Sequence, residues 1–176
     1  MNMHLTPTME KFILHWGEMG TQWGVNRSVS QIHALLYLSP QPMSAEIIAD
    51  TLGIARSNVS NSLKELLTWK LISRTHVLGD RRDHFEAEKD LWEMLTTIAE
   101  GRKTREIDPT LSMLRQCVDE GSRDGVTPEY SQQKIERMLE FVETLTNWYE
   151  QVSKINKPTL VKLMKLGSKV ARFVGK

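Results

Sequence analysis

SAEIIADTLGIARSNVSNSLKELLTWKLISRTHVLGDRRDHFE, residues 44–86, holds two short helical patterns joined at a glycine and then a basic hairpin. Ile48, Ala49, Leu52, Gly53, Ile54 and Val59 fall where two crossing helices must touch. Ala49 is small at the crossing, Gly53 supplies the left-handed turn residue, and Ile48, Leu52, Ile54, Val59 and Leu63 fill the shared core. Ser62 takes a position that such pairs give to an apolar side chain, with Leu63 next to it. This predicts packing at a slightly different rotation.

The second helix leaves Arg56, Ser57, Asn58, Ser60, Asn61, Lys64 and Thr68 outside its apolar stripe. Short polar and basic side chains on one face suit a DNA major groove: Asn can pair bidentately with adenine, and Ser can bond base edges or phosphate. Arg56 and Lys64 can neutralise phosphates or read guanine. An ordinary solvated face would have the same composition, and it is the preceding turn that favours the groove. Beyond Trp69, residues 71–77 and 81–87 read as two strands around a turn at Gly79–Asp80, a wing that also carries Arg74. Arg81 and Arg82 at its tip can reach a narrow minor groove, with Asp80 bracing one guanidinium and His84 beside the backbone phosphates.

Net charge gains meaning when divided along the chain. Residues 1–54 carry −2, residues 55–84 +3, residues 85–160 −5 and residues 161–176 +5, within a total of +1 over 176 residues. A phosphate-binding face needs local charge, because salt screens charges beyond roughly 10 Å. At 40% hydrophobic and 26% charged residues, the chain can build one domain with a core plus dimerisation helices. The one cysteine, Cys117, has apolar neighbours and reads as a core thiol. The first residues lack the basic and apolar regions of a secretory signal and no apolar run could span a bilayer. A cytoplasmic location is expected.

Thr6–Pro7 opens a helix whose Met9, Phe12, Ile13, Trp16, Met19, Gly20 and Trp23 recur every three or four residues. Gly17, Gly20 and Gly24 read as close-packing positions. Ile32, Leu35, Leu36 and Leu38 make a second stripe, and Asp108–Pro109, Thr127–Pro128 and Lys157–Pro158 each mark a further helix start. The expected fold is mainly α: a winged helix-turn-helix with a two-stranded β-wing, flanked by N- and C-terminal dimerisation helices. The corresponding regions are 1–28, 29–100 and 101–176.

Ile135, Met138, Val142, Leu145, Tyr149 and Val152 follow a 3-4-3-4-3 spacing, a heptad seam that Leu139 widens. The last segment adds Leu160, Leu163, Met164, Val170, Ala171 and Val174, backed by Lys162, Lys165, Lys169, Arg172 and Lys176. Such helices ask for a second copy of the chain, which makes a homodimer the expected assembly. A basic amphipathic helix can also lie on a membrane, but this one lacks an aromatic insertion face, so no membrane partner is expected.

The chain resembles the MarR-type winged-helix transcription regulators, and within them the GbsR-type branch. Residues 23–28, residues 57–66 and residues 79–92 carry the resemblance, with Asp80 and Arg82 matching the wing's Asp-x-Arg. Glu86–Ala87 stands where that wing usually closes with Leu-Thr, which favours the GbsR-type branch. The resemblance implies a repressor that is a homodimer on double-stranded DNA, its half-sites about 34 Å apart on a pseudo-palindromic operator. It further implies control of compatible-solute genes of the glycine betaine, choline or ectoine type.

Trp16, Trp23, Trp92, Trp148 and Tyr149 are the candidates for an aromatic site holding a quaternary ammonium effector, although helical spacing makes core or dimer packing the commoner use of such residues. The five histidines, His4, His15, His33, His76 and His84, are scattered, and no metal-protease, phosphate-loop or nucleophile-elbow motif is present. No enzyme, metal or cofactor is expected. A winged module that binds partner helices without DNA is the competing class, and it leaves Arg81 and Arg82 without a use.

Overall fold

Residues that close loose backbone groups set the ends of the first helices. In the computed structural model, which describes residues 4–167, Thr6 Oγ1 accepts from the Met9 N–H at 3.3 Å at the start of α1 (Pro7–Gln22). Asn26 Oδ1 accepts from the Ser28 N–H at 2.8 Å at the start of α2 (Arg27–Leu38). Ser44 does the same for Ile47 at 3.4 Å at the start of α3 (Ala45–Leu52). Gly53 then turns left-handed at φ +63°, where only glycine avoids a Cβ penalty, and α4 runs over Arg56–Thr68.

The core lies around α2. Ile32 and Leu35 are fully buried and Leu36 nearly so, with Ile48 from α3 and Val59 and Leu66 from α4 closing over them. Against its other side lies α1, which contributes Ile13 to the same core. Gly17 and Gly20 permit that approach: a Cβ on Gly20 would overlap the Ser30 hydroxyl, and one on Gly17 would stand 2.7 Å from Gln31 Cγ. On α4 Ser62 and Leu63 are both buried, so the serine sits inside the apolar stripe.

The sheet has three strands, not the two expected. β1 (Met43–Ser44), β2 (Ile72–Thr75) and β3 (His84–Ala87) pair antiparallel in the order β1-β3-β2, with Met43 opposite Phe85 and Arg74 opposite Phe85 on the other edge. β1 escapes notice because two residues cannot display an alternating pattern.

After β3, Lys89 folds back on the end of α2. Its ammonium donates to the carbonyls of Leu36 at 2.7 Å, Tyr37 at 2.9 Å and Ser39 at 2.8 Å, the acceptors that a helix C-terminus leaves open. His33, one turn back, is buried with its Nε2 unpartnered. Burial, with the Lys89 ammonium second, pushes its imidazole down from 6.5 to about 4.

Contacts cluster into two units, Met1–Ile98 and Ala99–Lys176. α5 (Leu91–Arg102) passes from the first into the second and continues through a π turn, Lys103–Ile107, into α6 (Asp108–Gly121). Asp108–Pro109 therefore opens no separate helix. Proline lacks an N–H and crowds the carbonyl four residues back; the wider π turn sits at that place. Lys103 Nζ ties the turn to Asp108 at 2.8 Å and to Glu150 of α7 (Glu129–Ser153) at 3.3 Å. Thr127 is likewise no cap for α7, because Asp124 accepts its N–H at 2.8 Å and its hydroxyl too. α8 (Lys157–Leu166) starts at Asn156, which accepts from Thr159 at 3.0 Å. Lys169, Val170, Ala171, Arg172, Val174 and Lys176 lie outside the described residues. Among the described residues no helix is long and apolar enough to cross a membrane.

The expected α7 seam divides between two environments. Ile135, Val142, Tyr149 and Val152 are half-buried, whereas Met138 is 53% and Leu145 49% exposed. Gln132, bonded to the Val118 carbonyl at 3.1 Å, and Glu143, paired with Arg115 at 2.9 Å, mark the side facing α6. At 3.6 residues per turn, Met138, Phe141, Leu145 and Trp148 fall on the side away from it, and all four are exposed.

A buried neutral histidine links stability to pH. The unfolded chain takes up a proton near pH 6.5 that the folded chain refuses until about 4, so stability contributed by His33 is present above 6.5 and lost as pH falls toward 4. Chemical denaturation across that window should show a loss of up to about 3 kcal/mol in the native chain and a clearly shallower loss in His33→Leu. Equal slopes would remove the assignment.

Candidate nucleic-acid interface

On the first unit α4 packs beside β2, and Arg82 of the wing reaches Glu46 of α3. Arg56, Ser57, Ser60, Asn61, Lys64 and Thr68 are all exposed on α4, since Val59, Ser62, Leu63 and Leu66 spend the opposite face on the core. Asn58 differs from its neighbours. Its Nδ2 donates to Ser28 Oγ at 2.9 Å while its Oδ1 accepts from Ser62 at 3.5 Å, so the amide ties α4 to the start of α2. It holds the helix in place more than it offers a free edge.

Next to α4 the wing is braced from within. The Asp80 N–H donates to the Val77 carbonyl at 3.0 Å and Gly79 takes φ +84°, which closes the tip. The Asp80 carboxylate then accepts from Arg82 three ways: the backbone N–H at 3.0 Å, Nε at 2.9 Å and Nη2. These hydrogen bonds, the side chain's first, hold the Asp80 carboxyl well below the usual carboxylate range and push the Arg82 guanidinium up. Arg82 also leans toward Glu46 at the start of α3, at 3.8 Å. Arg74 pairs with Asp83 at 3.2 Å and lies 6.0 Å above the Phe85 ring.

His84 is not at a phosphate-facing position as expected. It is buried, with Nδ1 at 3.0 Å from the Arg82 carbonyl and Nε2 at 3.5 Å from Asp80. It lies on the strand face opposite the core residues Phe85 and Ala87, and the wing's own Arg82 carbonyl and Asp80, with Ser44 paired alongside on β1, cover the ring. Asp80 and His84 thus hold Arg82 by its guanidinium, its N–H and its C=O. Arg56, Lys64 and Arg81 form no salt bridge among the described residues, which leaves them free to meet an anionic partner.

Between α4 and the sheet lies a cleft of about 370 Å³ with Ser60, Lys64 and Leu67 on one wall and Arg74, Arg82 and Phe85 on the other. None of the candidate aromatic residues lines it. Trp16 stacks on Phe12 with ring centres 5.4 Å apart, Trp92 and Tyr149 are half-buried, and Trp23 and Trp148 are about two-thirds exposed at 65% and 62%. Sequence reasoning missed Lys89, Ser28 and the burial of His84. For Lys89 the only signal was a lysine soon after a strand, which carries no hint of a helix end fifty residues earlier.

Residues 23–83 match the family model described as MarR family. The chain is 19% identical over 137 residues to the HTH-type transcriptional repressor OpcR of Bacillus subtilis, covering 76% of this chain and 74% of that protein. It also superposes on a crystal structure of a transcriptional regulator with a TM-score of 0.63, at 20% identity over 84% of this chain and 96% of the other. Residues 23–83, from the end of α1 to the braced wing, are therefore similar to the MarR family, and the fold they take is a winged helix-turn-helix.

Proposed function

We propose that this protein is a homodimeric transcriptional repressor of the GbsR-type branch that reads a pseudo-palindromic operator. One observation carries the reading: an exposed polar face on α4, bearing Ser57, Ser60, Asn61 and Lys64, stands beside a braced wing whose Arg81 has no ion-pair partner among the described residues. In this reading α4 enters the major groove. Arg56 and Lys64 meet phosphates or guanine, Arg74 and Arg82 flank the groove edge, and Arg81 reaches the adjacent minor groove. The likeness to OpcR, a repressor, supports the same direction of control.

A second copy of the chain is the proposed partner of the outward stripe on α7. Met138, Phe141, Leu145 and Trp148 would expose a large apolar surface to water in a lone chain, more than folding alone requires. Regions 29–100 and 101–176 then divide the work into DNA reading and dimerisation, with α1 packed on the reading head. Dimerisation sets the half-site spacing, so the operator's symmetry follows from the protein's.

The regulated genes in this proposal are those for compatible solutes, and the releasing signal is a quaternary ammonium osmolyte. Both rest on the GbsR-type resemblance. The exposed rings of Trp23 and Trp148 and the half-buried Trp92 and Tyr149 are the groups such a cation would use.

Genomic fragments captured by the purified protein should share a two-fold symmetric site. On that site Arg81→Ala should weaken binding and lower the slope of log affinity against log salt by about one, the loss of one phosphate contact. An unchanged slope would sink the wing assignment. Leu145→Lys should sediment as a monomer and bind the same fragment at least tenfold more weakly, with its helical content retained; a stable dimer would refute the α7 interface. Glycine betaine or choline should raise the melting temperature and release the fragment, and the osmolyte proposal fails if neither moves either quantity.

A further inference from the structure

The wing ends in Val77, Leu78, Gly79 and Asp80, and its corner is unusual in chemistry. The Asp80 N–H donates to the Val77 carbonyl at 3.0 Å and Gly79 stands at φ +84°, the glycine position of a type II turn. Leu78 precedes that glycine at the outermost point. Its relative exposure is 104%, as open as in an extended chain, and Val77 beside it is 40% exposed. Turn corners are ordinarily filled by proline, glycine or short polar residues. Folding gains nothing from an isobutyl group held wholly in water, and its neighbours in the turn hold it there.

The support under this corner is rigid. Asp80 is locked to Arg82 by side chain and backbone, and His84 pins the Arg82 carbonyl at 3.0 Å from below. Because Arg82 is drawn inward toward Asp80 and Glu46, it cannot be the tip's outermost group. What the tip presents is an apolar prong, Leu78, flanked by the unpaired cation of Arg81. A DNA minor groove has the complementary chemistry: phosphates along its rims, sugar C–H walls, and a floor that is free of amino groups at A·T pairs.

We propose that Leu78 is a minor-groove prong that selects against G·C pairs where the wing meets the duplex. The inference rests on the DNA-reading function proposed above. Adenine and thymine leave the groove floor open to an isobutyl group, whereas the 2-amino group of guanine fills the space and must be desolvated against an apolar surface. Arg81 supplies affinity through charge, and Leu78 supplies discrimination through shape. The flanking Arg81 cation, and the tie of the wing to α3 through Arg82 and Glu46, assign the prong to duplex DNA in preference to a protein partner.

The test uses the full-length protein and a genomic fragment that it captures, with the base pairs beyond each half-site made A·T, G·C or inosine·C. Inosine lacks only the 2-amino group. Wild type should bind the A·T and inosine·C duplexes alike and the G·C duplex about fivefold or more weakly. Leu78→Ala should bind all three equally, the G·C duplex no longer penalised, with an unchanged salt slope and melting temperature; Leu78→Met should keep the discrimination. Arg81→Ala should lose salt slope while still rejecting G·C. Preference for A·T and inosine·C retained in Leu78→Ala, or loss of affinity through a changed oligomeric state, would overturn the prong. Failure of wild type to capture any fragment would instead overturn the DNA-reading function itself, and the prong with it.

Discussion

Everything in the first unit hangs on the burial of α2. Ile32 and Leu35 have no exposed surface and Leu36 almost none, because α1, α3 and α4 all pack against this one helix. The last carbonyls of such a helix have no partner further along it. Lys89 answers that constraint by placing one ammonium among three of them, and His33 shares the cost by staying neutral. The lysine comes from the segment that leads out of the sheet, so the end of α2 and the exit toward α5 are held by a single side chain.

With α2 fixed, the exposed polar face of α4 follows from two further ties. Asn58 joins the start of α4 to Ser28 at the start of α2, which sets where the polar face of α4 points. Across the cleft, β1 and β3 pair directly before α3, so the wing is anchored to the turn motif through main-chain bonds. Arg82 then bridges Asp80 and Glu46, linking wing to helix α3 by charge. Both ion pairs are solvent-exposed and add little stability. Their effect is on direction, since a guanidinium held at both ends stops wandering.

The parts legible in the sequence are those with local causes. Gly53 reveals the turn because a left-handed residue costs least as glycine, and the 59-63-66 spacing on α4 reveals its inner face. The Asp80–Arg82 brace could be read because its partners lie two residues apart. Illegible parts depend on distant partners. Alternation gives no sign that His84 is buried, since it shares its strand face with exposed Glu86, and its pairing partner Ser44 lies forty residues away. The Asn58 amide looks like a base reader until Ser28 is placed beside it. At Asp108–Pro109 the local signal pointed to a new helix, and a π turn absorbed the proline instead.

Helix α7 shows how one periodic signal can span two environments. A heptad pattern reports that apolar residues line up, but 25 residues of helix can carry two such lines. Here one line, through Ile135, Val142 and the buried Thr146, lies toward α6, and the ties of Gln132 and Glu143 fix that orientation. The other, through Met138, Phe141, Leu145 and Trp148, is left to the solvent side. The sequence mixed members of both into one seam because Met138 and Leu145 sit near the boundary between them. A helix with one apolar line needs one neighbour; two lines on different sides need two, and α6 supplies only the first.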